Sequence, residues 1–94
     1  MNLTQNSAEV IGLQCLAWLA GNEELLPVFL GATGASEEDF RHRLQDPEFH
    51  GFVIDFIMLN DDWVMDFCTT HDLPNESLQY ARAALPGGEQ VNWT

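Results

Sequence analysis

The residues best placed to do chemistry lie in DFCTTH, residues 66–71. Cys68 and His71 are three apart, a spacing that puts both on one face of a helix. Such a pair can be the start of an activated thiolate, with the imidazole drawing off the thiol proton. It can also supply two of the roughly four ligands that a zinc ion takes. Asp66, two residues before the cysteine, points elsewhere. Asp61, Asp62 and His50 would have to be recruited by tertiary packing to complete a metal set, and nothing nearby supplies an oxyanion hole. Cys68 follows Phe67 in an apolar stretch, and His71 falls near a helix end, where a cation interacts well with the dipole. The expectation is therefore a structural pair, with no catalytic residue, metal ligand or cofactor assigned. A metal- or thiol-dependent enzyme centred on Cys68 and His71 is the alternative.

Other polar residues invite weaker readings. His42 stands between Arg41 and Arg43, a triplet able to touch phosphate or a carboxylate ligand, but Glu37, Glu38 and Asp39 precede it and balance it as one solvated face. Asp55 and Asp66 sit among apolar residues, each read as the polar stripe of its helix. Trp63 follows two acids at a helix start, where it can serve as an interface anchor or, more simply, as core. Asp61, Asp62, Trp63, Glu23 and Glu24 make the expected interaction surface. The sequence holds no glycine-rich phosphate loop, GxSxG, HExxH or EF-hand pattern.

Charge says more than any motif. Fifteen acids against three arginines, with no lysine, give a formal net charge of −12. Such a surface repels phosphate and anionic lipid, so neither nucleic acid nor a membrane surface is expected as a partner. A basic protein, or a second copy of the chain, is. The two cysteines are no disulfide framework and fit a reduced, cytoplasmic setting. The apolar run over residues 10–20 has no Lys or Arg before it, unlike a secretory signal, and is too short to span a bilayer.

These residues need elements to position them, and the apolar spacing supplies about six helices and no strand. Over residues 8–20, Ile11, Cys15, Trp18 and Leu19 form one stripe, while Val10, Ala17 and Ala20 extend it, as in a helix buried on most sides. Ser7 can cap its start and Gly21 its end. Asn22 caps a second helix, whose start Pro27 delays or kinks. Ser36 and Asp39 form a capping box for a third. Asp46-Pro47 starts a fourth, with Phe49, Phe52, Val53, Phe56 and Ile57 on its apolar face. Asn60 caps a fifth. A sixth runs from about Pro74 to Leu85 with Leu78, Ala81 and Leu85 inward, and Pro86-Gly87-Gly88 stops it. The fold expected is all-α, one domain over residues 1–94, with an ordered body of about residues 7–88 and a polar tail, residues 89–94, carrying Trp93. Helices one and four should pack as the core.

NEELLPVF (22–29) and NDDWVMDF (60–67) share a pattern at an offset of 38 residues. Extended, it pairs Trp18 with Phe56, Leu19 with Ile57 and Phe40 with Leu78. The chain thus reads as two three-helix units, by duplication or by convergence of capped amphipathic helices.

The stretches LAWLAGNEELLPVFLGATG, DPEFHGFVIDFIMLNDDWVMDFC and ARAALPGG resemble the alphaproteobacterial domain-of-unknown-function family 3572, over roughly residues 8–88. The resemblance implies a cytoplasmic bacterial protein and carries over no catalytic or binding residue. The functional expectation is an uncharacterised, non-enzymatic interaction module binding a basic partner or itself.

Overall fold

Side-chain caps open four of the helices. In the computed structural model, which describes residues 4–86, six helices follow one another: α1 (Gln5–Ala20), α2 (Leu25–Thr33), α3 (Glu37–His42), α4 (Pro47–Ile57), α5 (Asp61–Thr70) and α6 (Ser77–Ala84). No described residue is in a strand. Helix α1 starts three residues earlier than expected. Thr4, not Ser7, is its cap, and the Ser7 amide donates to Thr4 Oγ1 at 3.1 Å. The capping box of α3 forms in full, with the Asp39 amide on Ser36 Oγ and the Ser36 amide on the Asp39 carboxylate. Asp46 and Asn60 cap α4 and α5 through the amides of Glu48 and Asp62.

Asn22 Oδ1 accepts from the amides of Glu24 and Leu25. The regular helix nevertheless begins only at Leu25. Pro27 has no amide proton to continue the ladder back to Glu23, which accounts for the late start. At the other end of α5 the chain turns through Asp72, whose φ is 57°, and the Leu73 amide donates back to the Cys68 carbonyl at 2.8 Å. This is a Schellman-type close, with an aspartate where glycine is usual.

Helix α1 packs against α4 and α6, and α4 also meets α5 and α6. The radius of gyration is 12.5 Å, as for one close-packed domain of this length, roughly 12 Å. Ile11, Cys15, Leu16 and Leu19 of α1 meet Phe49, Val53, Ile54, Phe56 and Ile57 of α4 in one core, closed by Leu78, Ala81 and Leu85. Phe29, fully buried, is the hub of an aromatic cluster. Its ring meets Phe40, Phe49 and Phe56 edge-on, at centroid distances of 5.9, 6.0 and 5.2 Å. Edge-to-face pairs of this kind add stability beyond the area they bury.

Two expectations about faces are corrected. Phe52 is 57% exposed; His50 and Gly51 take the inward positions beside it. Helix α1 is not buried on most sides, because Val10, Leu13 and Ala17, spaced i, i+3 and i+7, form an exposed apolar stripe. On α4 the inward turn follows from two close contacts: Gly12 of α1 lies against His50, and Gly51 lies under the Arg82 guanidinium of α6.

The two three-helix units keep matching local roles: Asn22 and Asn60 both cap with Oδ1, and Phe29 and Phe67 are both fully buried. They differ in packing. Helix α6 lies along α1 and α4, whereas α3 reaches the core through Phe40. The polar tail, Trp93 and the Gly87-Gly88 stop lie outside the described residues.

Candidate functional site

Helix α5 does not present Cys68 and His71 as a reacting pair. Cys68 is fully buried, and burial pushes its thiol up from the ordinary range, with the Glu76 carboxylate adding in the same direction. Cys15, also fully buried, is raised by burial and by the neighbouring Cys68. Both thiols are free. A nucleophilic cysteine needs the opposite, a lowered pKa and access. His71 is the C-cap residue of α5, and its ring lies on Phe67 at 4.4 Å, with Nδ1–H donating to the Phe67 carbonyl at 3.2 Å. The ring thus serves its own helix end. Among the described residues, no group of three His, Cys, Asp or Glu side chains is arranged to hold a metal ion.

His50 lies far from the role of a recruited ligand. It is 3% exposed, and Nε2–H donates to the Leu44 carbonyl at 2.6 Å. Its Nδ1 is buried without a hydrogen-bond partner and faces Gly12 of α1. Asp55 is partnered too: Arg82 Nε donates to its Oδ1 at 2.8 Å, joining α4 to α6, and Arg82 Nη1 donates to the Pro86 carbonyl. The guanidinium lies over Gly51, where a Cβ would come within 2.8 Å of Nη1. Arg43 pairs with Asp46 at 3.0 Å and stands 4.9 Å above the Phe49 ring. Arg41 and His42 are exposed.

Three of the five expected interaction residues line clefts, Asp61 one and Glu23 and Glu24 another, while Asp62 and Trp63 line neither. The first cleft, of about 560 Å³, opens between α5 and α6. Met58, Val64, Met65 and Leu78 line its apolar part, and Asp61 and Glu76 its rim. The other, of about 610 Å³, runs from the end of α1 to the end of α5, past Trp18, Glu23, Glu24 and His71. Glu23, Glu24, Asp61 and Asp62 are all exposed. Trp63 is only half-exposed, its ring stacked on Phe56 at 5.1 Å, which makes it an edge of the core.

The family model described as protein of unknown function (DUF3572) matches residues 5–88. The chain belongs to the DUF3572 family. No curated protein and no solved structure matches it. The match takes in all six helices, so this DUF3572 domain includes both clefts and the Arg82–Asp55 clamp. No helix among its described residues is long and apolar enough to cross a membrane.

Sequence reasoning missed the clamp, the seat of His50 and the first cleft. Arg82 carried a usable signal. It is one of only three cations among fifteen acids, and such a residue seldom goes without a carboxylate partner. The cleft carried none, since Met58, Met65 and Glu76 come from separate segments.

Proposed function

We propose that this DUF3572 protein is a non-enzymatic interaction module that binds a basic protein partner in the bacterial cytoplasm. One observation supports this above the rest: both clefts are lined by carboxylates, and neither has a Lys or Arg side chain in its lining. Two of the three arginines are meanwhile held in ion pairs with Asp46 and Asp55. Four exposed carboxylates, Asp61 and Glu76 at one cleft and Glu23 and Glu24 at the other, therefore stand at concave surfaces without a cation beside them in the lining, where a positive partner gains most from them. The same charge disfavours phosphate polymers, and it also opposes association of two copies through their acidic faces. Two buried, protonated thiols suit a reducing compartment.

The test is a pull-down from native cytoplasm at low and moderate salt, with bound proteins identified by mass spectrometry. A basic protein captured at low salt, released at moderate salt and lost with Asp61→Asn/Asp62→Asn supports the reading. Capture that is indifferent to salt counts against it.

A further inference from the structure

We infer that the cleft between α5 and α6 is where such a partner docks, and that its occupant is a cationic amphipathic segment. One apolar side chain of the segment sits against Met58, Val64 and Met65, and its ammonium or guanidinium groups meet Asp61 and Glu76. The inference rests on the interaction reading above and adds to it a place and a binding mode.

Three features select this cleft. Part of its apolar lining is unspent: Leu78 is in the core and Met58 and Val64 are partly buried against it, but Met65 is left over. Met65 is 46% exposed although it stands on a helix whose Phe67 and Cys68 are fully buried. Methionine is flexible and polarisable, and it adapts to different apolar side chains at binding surfaces. The two cleft methionines come from different segments, Met58 at the end of α4 and Met65 on α5, so the apolar lining is built by the tertiary fold. The rim is of one sign: Asp61 opens α5, Glu76 immediately precedes α6, and both are exposed. An apolar floor between carboxylates complements a helix with an apolar stripe flanked by cations. The volume, about 560 Å³, lies in the range of ordinary binding clefts, roughly 300–1,000 Å³. The second cleft lacks such a floor. Its large apolar residue, Trp18, is already engaged edge-on with Phe67 at 5.9 Å.

The sequence has three methionines, at positions 1, 58 and 65. Methyl-labelled methionine therefore reports on the cleft almost without background. The probe is a synthetic ~15-residue amphipathic helix of leucine and lysine. A scrambled peptide of the same composition and an all-lysine peptide of equal length are the controls. The Met58 and Met65 methyl signals should move saturably with the amphipathic peptide. Binding should weaken at least about tenfold with Met65→Lys, an exposed position that leaves the core untouched. It should weaken similarly with Asp61→Asn/Glu76→Gln, and that pair should also flatten the loss of affinity between ~50 and ~300 mM salt.

Peptide binding that leaves both methyls still and ignores Met65→Lys overturns the cleft as the site, while the wider reading of a basic partner stands. Equal binding of the all-lysine peptide overturns the apolar anchor. No binding at ~50 mM salt overturns the cleft as a seat for such segments, and the salt-dependent pull-down then decides the wider reading separately. Methyl shifts on concentrating the protein alone, with dimers in sedimentation, would make the occupant a second copy and overturn the cationic one.

Discussion

Gly12 of α1 lies against His50 of α4 so closely that a Cβ added at position 12 would stand 2.6 Å from the His50 Cβ. This contact lets the two central helices approach, and it seals His50 from water. The neighbouring atom sits next to the α4 backbone and cannot swing away, so the cost of filling the space falls on the helix pair. Gly12→Ala should destabilise by about 1–3 kcal/mol, the usual cost of overpacking a core. Gly51 is the control. A Cβ there meets Arg82 Nη1, the far end of a flexible side chain. Gly51→Ala should displace the guanidinium and weaken its pair with Asp55, a loss of about 1 kcal/mol or less for a part-exposed ion pair. Urea unfolding of the two variants side by side checks the order.

Phe29 should be the most sensitive aromatic position, since its ring contacts three others and is fully buried. Truncation to alanine typically costs about 3–5 kcal/mol, comparable to the whole stability of a small domain. Phe29→Leu keeps most of the volume and isolates the ring contacts. A loss of about 1–2 kcal/mol is expected, read as a lower urea midpoint at unchanged slope. Phe52→Leu, at an exposed site on α4, should stay within about 0.5 kcal/mol.

Cys15 and Cys68 should react slowly with a thiol reagent in the native protein and rapidly in denaturant. Burial holds both thiols protonated and out of reach. At pH 8 the native rates should lie at least about tenfold below those of the unfolded chain, because modification must wait for opening. A fast native Cys68 would revive the thiol-enzyme alternative.

Asp46 links stability to pH. Partial burial pushes its carboxyl up, but the Arg43 guanidinium and the amides of Glu48 and Phe49 outweigh this and hold it below the ordinary carboxylate range. A group depressed in the folded state contributes stability above its unfolded pKa, about 3.9 for aspartate. That contribution fades as pH falls through the lower folded value. Asp46→Asn keeps a good helix cap and removes the charge. It should cost less than about 1 kcal/mol at pH 7, given how exposed and screened the pair is. The difference from wild type should shrink below about pH 4, as urea midpoints measured across the acid range would show.

Much of the architecture was legible because its causes are local. Ser36, Asp46 and Asn60 cap the helices expected of them, since a cap needs only a side-chain oxygen within reach of the next amides. The delay at Pro27 follows from one missing proton. The inward positions of Leu78, Ala81 and Leu85 follow from spacing alone, and the pairing of α1 with α4 from their being the two longest helices, each with a continuous apolar stripe.

Helix rotation was decided only by tertiary packing. Spacing cannot tell whether α4 turns Phe52 or Gly51 toward its neighbours, because that depends on where Gly12 lets α1 approach and where Arg82 needs room. The same holds for the candidate site. Cys68 and His71 share a sequence pattern, yet the pattern cannot show that one is sealed in the core and the other turned onto Phe67. The cleft joins Met58, Asp61 and Met65 to Glu76 and Leu78 across a turn. By itself, then, the sequence determined about six helices, the caps of most of them, their apolar spacing and a strongly negative surface, because each depends on residues within a turn or two or on composition. Only the tertiary structure decided which apolar residues are left over and which carboxylates stand beside them, because contacts between distant segments are set by how whole helices fit together.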